Sequence, residues 1–201
     1  QLLLDMVRRV DEIWINELVT YQKIYQVLDQ ILELKEKHQA HLKMLLHDFF
    51  FMCPAVNLMD AQGKYCHGAD AQICNQCIPA NRSNACLDYE SGTAWRTHWR
   101  EFLSRCDEIL AFSDDTAQIF KKTYPYLYQL HVLPHKPHYV TALDKKVKTT
   151  RTLNIGLLGV LCYKKGLDVV KEMIKEIEMQ NLNIRMKLIG VSDEEIDSPV
   201  F

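Results

Sequence analysis

Ile24, Val27, Leu28, Ile31 and Leu32 fall at i, i+3, i+4, i+7 and i+8, and a short apolar run, Leu42, Met44, Leu45 and Leu46, follows them. The first spacing lines one face of a helix, and the second run has the length of a buried strand. A β-rich stretch, Glu-Ile-Trp-Ile-Asn at 12–16, precedes both. The three together make a strand–helix–strand unit, whose crossover is right-handed in nearly all proteins. A chain built this way is confined to the α/β folds with a parallel sheet.

The alternation continues down the chain. Residues 93–105 read as a helix with Trp95, Trp99, Phe102 and Leu103 on one face, and 109–112 as a strand. Ser113-Asp114-Asp115 supplies an N-cap for a helix that runs to Tyr124, where Pro125 stops it. Residues 130–133 form another strand, ending in Pro134-His135-Lys136-Pro137. Residues 142–152 are polar and basic, with no apolar period, which marks a linker. A strand at 153–158, a helix from Gly166 or Leu167 to Met179 and a strand at 184–189 follow. The expected organisation is an α/β domain at 1–141, a linker at 142–152 and the start of a second α/β domain at 153–201. About fifty residues are too few to close a stable sheet, so the second domain is expected to be truncated here or completed by another chain. The opening Gln-Leu-Leu-Leu-Asp-Met-Val-Arg-Arg reads as the interior of a longer protein, not as a signal peptide.

Composition excludes several classes. Of 201 residues, 48% are apolar and 25% charged, with a net charge of −2. That balance suits a soluble protein with a real core. No Lys/Arg block stands out, which argues against a nucleic-acid partner. No apolar run approaches the ~20 residues that span a bilayer. Seven cysteines is an odd number, in a chain large enough to fold without disulfide staples, so the expected compartment is the reducing cytosol.

Candidate chemistry gathers at the expected strand ends. Asn16-Glu17, His47-Asp48, Ser113 and His135-Lys136 each follow a strand. In a parallel sheet such residues emerge on one edge, where open α/β sheets bind ligands. Taken singly, Ser113 is explained as a helix cap, His135 as a turn residue and His47 as a core histidine. Their coincidence carries more weight than any one of them. A second candidate site runs from Gly156-Leu-Leu-Gly159 to Lys164-Lys165-Gly166. There Gly159 would admit a ligand to the backbone, and Gly166 would open a helix whose N–H groups favour a phosphate. The spacing is neither a dinucleotide fingerprint nor a Walker loop.

Residues 53–92 are rich in Asn, Ala and Gln and show little periodicity. They carry Cys66, Cys74, Cys77 and Cys86 in the spacing C-x7-C-x2-C-x8-C. A C-x2-C pair with two flanking thiolates matches a tetrahedral structural zinc, with Cys53 and His67 as spare ligands. Four reduced thiols packed in a loop, or a redox-active pair at Cys74 and Cys77, explain the same residues. Cys106 and Cys162 read as ordinary thiols. Trp95-Arg96 and Trp99-Arg100 repeat on one helix. The indoles suit a core, while an arginine there either pairs with a carboxylate or reaches an anion in the crevice.

In this order, His47-Asp48-Phe-Phe through Cys53-Pro54, Asn57-Leu-Met-Asp, Gly63-Lys-Tyr-Cys66, Cys74-x2-Cys77, Trp95-Arg-x2-Trp99-Arg-x-Phe102-Leu, Ala111-Phe-Ser113, Pro134-His135 and Ile155-Gly through Lys165-Gly166 resemble bacterial GT-B glycosyltransferases that build cell-surface polysaccharide. The resemblance spans about residues 12–189. It implies two Rossmann-like domains facing across a cleft, the amino-terminal one holding a saccharide or lipid-linked acceptor and the second, incomplete here, a nucleotide-diphosphate sugar. His47 and Asp48 would then be catalytic. Gly159, Lys165, Gly166, Ser113 and His135 would serve the donor and its phosphates, and Asn16, Glu17 and Arg96 the acceptor side. Retention of configuration without a catalytic metal is implied, as is a cytoplasmic location, with peripheral association at the inner face of the membrane. Val160 stands where many relatives carry a phosphate-gripping Arg. The family's acidic pair for the donor lies beyond residue 201, so this chain alone is expected not to turn over. The competing expectation is a non-catalytic interaction module stapled by zinc.

Overall fold

A computed structural model describes residues 9–84, 86–135 and 151–201. The chain divides into two compact units, Gln1–Pro137 and His138–Phe201. Lys136 and positions 142–150 of the expected linker lie outside the described residues.

The first unit is mixed α/β. Its strands are β1 (Glu12–Ile15), β2 (His41–Leu46), β3 (Glu108–Ala111) and β4 (Leu130–Val132). They form one parallel sheet in the order β1-β2-β3-β4. The helices are α1 (Ile24–His38), α2 (Ala71–Ala80), α3 (Gly92–Ser104) and α4 (Asp114–Thr123). Local chemistry sets their ends. The Tyr25 N–H in the first turn of α1 donates to Asp88 Oδ2 at 3.0 Å, and the helix closes on Gln39 in the left-handed region, φ 53°. Ser91 Oγ accepts from Ala94 N–H to cap α3. Lys35, Lys37 and His38 occupy the last turn of α1, where positive charge complements the helix dipole.

Alternation along the strands divides the sheet into two unlike faces. Ile15, Leu42, Met44, Leu46, Ile109 and Ala111 join the core with the buried Trp95, Trp99, Phe102 and Phe120 of the helices. Each large side chain buried this way contributes roughly 1.5–3 kcal/mol. The opposite face carries a charged row. Lys43 Nζ lies 3.5 Å from both Glu12 and Glu108 carboxylates and 4.6 Å from the Trp14 ring centre. A parallel sheet is usually apolar on both faces. Here the polar row shares its face with the buried Leu110, and the core of the described residues lies on the other side.

The stretch expected to lack periodicity holds a helix. Cys74, Cys77 and Ile78 fall at i, i+3 and i+4 in α2, and Cys74 and Ile78 are buried. The helix is short and contains Pro79, so the periodic signal covers barely two turns.

The second unit pairs β5 (Leu153–Leu161) in parallel with β6 (Ile184–Ser192). Between them α5 (Leu167–Met179) buries Leu167, Val170, Ile174 and Ile177 against Leu161 and Met186. Both strands run three residues beyond the expected ends at 158 and 189. Gly159 therefore sits inside β5, opposite Gly190. A Cβ at Gly190 would lie 1.9 Å from Gly159 O, so the ladder requires glycine there.

Candidate functional site

The parallel register brings Leu46, Ala111 and Val132 to one level of the first sheet. The residues just past them form a group of three rings. His47 lies on Phe112 with centroids 4.5 Å apart and planes 24° apart. Phe112 lies on His135 at 4.2 Å and 9°, and the two imidazoles are 6.1 Å apart. His47 and His135 are both exposed, so a nearly parallel set of rings faces outward at the carboxyl edge. Phe112 was expected to end a strand, and its place between two histidines was not read from the sequence. An aromatic residue adjoining a capping serine at a strand end is the signal that marks it.

The turn after His47 is held from two sides. Asp48 Oδ1 accepts the Phe50 N–H at 2.8 Å. Trp95 Nε1 donates to Phe50 O at 3.0 Å, and Tyr124 Oη donates to Phe51 O at 2.7 Å. Phe50, Phe51 and Met52 are buried, so α3 and α4 fix the chain that carries His47 and Asp48. Burial raises the Asp48 carboxyl above the ordinary carboxylate range. The Phe50 N–H opposes that shift, Glu17 adds to it and His47 opposes it. Asn16 and Glu17, just past β1, are exposed, and Glu17 belongs to this edge through its effect on Asp48.

Two expected site residues have local partners. Ser113 Oγ accepts the Thr116 N–H at 3.1 Å and meets Thr116 Oγ1 at 3.0 Å. It caps α4, and its oxygen serves the helix before any phosphate. Arg96 turns toward the cysteine segment. Its Nη2 donates to Ala69 O at 2.5 Å and approaches Cys74 Sγ at 3.6 Å. The helical face was legible, but the partner, 27 residues away in sequence, was not.

In the second unit, Gly159 has φ +106°. The site was expected past the strand end, but β5 continues through Gly159. Lys165 is exposed and ends a 3-10 turn at Tyr163–Lys165. Gly166, at φ 87°, starts α5 with no side-chain cap. The Gly166 and Leu167 N–H groups already bond Tyr163 O and Cys162 O, so only the following N–H groups of the first turn could meet an anion, and Asp168 in that turn works against its charge.

The four cysteines expected to share a metal do not gather as a set. Cys86 Sγ contacts Asp88 Oδ1 at 2.7 Å and Gln22 O at 3.5 Å. Burial, then the bond to Asp88, pushes its thiol up to about 12. It pins the Asp88 loop that caps α1. Cys66, Cys74 and Cys77 instead line a cavity of about 270 Å³ together with Cys53. Among the described residues, no three His, Cys, Asp or Glu side chains stand close enough to hold a metal ion as placed. Cys106 is buried, its thiol pushed up to about 12 by burial.

Compared with family models, curated proteins and solved structures, the chain matches none. Among the described residues, no helix is long and apolar enough to cross a membrane.

Proposed function

We propose that the chain is a sugar-nucleotide-dependent glycosyltransferase, or the part of one, that moves a sugar with retention to a saccharide or lipid-linked acceptor. In this reading the two units are the Rossmann-like domains of a GT-B enzyme working on the cytoplasmic side of a membrane. The observation that carries it is the ring group of His47, Phe112 and His135 at the carboxyl edge of a parallel sheet, the edge where such sheets bind ligands.

The chemistry needs few parts. As the glycosidic bond to the donor breaks, negative charge grows on the leaving diphosphate. Oriented N–H groups and cations stabilise such charge. Lys165 and the N-terminus of α5 at Gly166 supply both. No pair of carboxylates of the glycosidase kind is required. His47 presents its imidazole to the reacting sugar, with Asp48 behind it in the Phe50 turn.

The test is a panel of uridine-, guanosine- and thymidine-diphosphate sugars, scored by thermal shift on the polypeptide that carries these residues, followed by product formation with the donor that binds. One donor should raise the melting temperature selectively. His47→Ala should lower turnover by roughly 10²–10⁴-fold, the range for losing a positioned proton-transfer group, with the melting temperature held. Stabilisation by no donor, or full turnover by the variant, would overturn the assignment. A second reading, a non-catalytic interaction module, is favoured by the four thiols around one cavity, and it expects no donor to bind.

A further inference from the structure

We infer that Cys53, Cys66, Cys74 and Cys77 form a structural tetrathiolate zinc site, with Cys86 outside it. The four sulfurs come from three separate pieces of chain that surround one cavity of about 270 Å³. Cys53 lies in the turn after β2, where the Val56 N–H donates to Cys53 O. Cys66 follows a short hairpin closed by the bridge of Met59 and Tyr65, with the Cys66 N–H on Leu58 O. Cys74 and Cys77 sit one turn apart on α2. Structural zinc is held tetrahedrally by four such thiolates, at Zn–S distances of roughly 2.3 Å.

The donors around the sulfurs suit thiolates. The Arg96 guanidinium reaches Cys74 Sγ at 3.6 Å, and Asn81 Nδ2 reaches Cys77 Sγ at 3.8 Å. The Ala55 N–H bonds Cys53. Metal ligands depend on this kind of outer hydrogen bonding, which orients them and offsets their charge. Arg96 adds a full positive charge beside a set whose four thiolates exceed the charge of one zinc ion by two. Its buried Nε finds no acceptor among the described residues. Asp60, which also lines the cavity, is taken by its own turn, accepting from Gln62 and Lys64 N–H groups.

The electrostatics give the metal a purpose. Four ionised sulfurs cannot share this space without a cation. Among the described residues the sulfurs do not already stand at metal-binding separation, so zinc binding must draw them together. The backbone that carries them is held in unusual conformations, with positive φ at Val56, Leu58 and His67. Val56 is β-branched, and that region is rarely open to such residues. A metal that cross-links the turn, the hairpin and the helix would hold the segment in place.

The full chain, expressed with zinc and purified under reducing conditions, tests this. Element analysis should find stoichiometric zinc. Replacing zinc with cobalt(II) should give the strong visible bands of a tetrahedral ion and a thiolate charge-transfer intensity matching four sulfurs. Cys53→Ser and Cys77→Ser should lose the metal, while Cys86→Ser and Cys106→Ser retain it. Absence of zinc and cobalt, or a Cys86→Ser that loses metal while Cys53→Ser keeps it, overturns the inference. Should Cys53→Ser fail to fold, the cobalt spectrum of the unaltered chain decides, and fewer than four thiolates count against the site.

Discussion

Asp48 stands between a turn that uses its carboxylate and surroundings that disfavour the charge. Its Oδ1 accepts the Phe50 N–H, yet burial, with Glu17 behind it, raises its pKa in the folded protein. A folded value above the unfolded one favours the neutral acid. Its contribution to stability is therefore complete below the ordinary Asp value of about 3.9 and is lost as the pH rises through the folded value. Asp48→Asn keeps an oxygen for Phe50 and removes the titration. The stability of the native chain relative to this variant should fall as the pH rises through and above that ordinary value. Denaturant midpoints for both proteins across the acid range measure it, and a difference constant with pH would refute the burial argument. Much of this edge was legible at the residue scale, because a polar pair after an apolar run places itself. His47 and His135 emerged where their strands end. The partners of Ser113 and Arg96, Thr116 and Ala69, were not legible, because sequence spacing gives a side chain its face and not its partner.

At the scale of elements, α2 and α3 meet at a residue without a side chain. Gly92 opens α3, and its N–H donates to Asn75 Oδ1 of α2 at 2.8 Å. A Cβ there would lie 2.1 Å from Ala71 O and 2.8 Å from Cys74 Cβ. Neither backbone nor a packed Cβ yields as a flexible side-chain tip would. Gly92→Ala should thus destabilise the protein by about 1–3 kcal/mol, the usual cost of overpacking, as read from the urea midpoint. A change within a few tenths of a kcal/mol would show that the two helices part easily. Helix α1 was readable from end to end, since five apolar residues at helical spacing outweigh weak capping. Helix α2 was not. Asn, Gln and Pro dilute its pattern, and one of its two buried residues is a cysteine, which the spacing C-x2-C draws toward a loop or metal reading. The strands at Gly159 and Gly190 ran past their expected ends for the converse reason. Glycine reads as a stop in a sequence, but opposed glycines continue this ladder, where a Cβ has no room at Gly190 and Gly159 takes φ +106°.

Across the whole molecule, the two units differ in how much apolar surface they bury. The first encloses Trp95, Trp99, Phe50, Phe51, Phe102 and Phe120 beneath four strands. The fully buried core of the second consists of Leu161, Leu167, Val170, Ile174, Ile177 and Met186. Its two strands leave Leu158 81% and Val191 63% exposed, on a sheet that α5 covers from one side. The alternation of strand and helix patterns was sufficient to expect an α/β chain, with 153–201 as the start of a second domain. No local pattern, however, reports the total area that a unit will bury. Local opening costs little free energy where few apolar contacts hold a segment. Amide hydrogen exchange should therefore be faster in β5 and β6 than in β2 and β3, although the second pair of strands is longer and fully laddered. Chelation of a metal at the cysteine cavity should accelerate exchange in α2 and around Cys53 while leaving β5 and β6 unchanged, since the four thiols belong to the first unit. Mass spectrometry of peptides from the two sheets measures both. Equal protection in the two sheets would mean that burial does not set local stability in this protein.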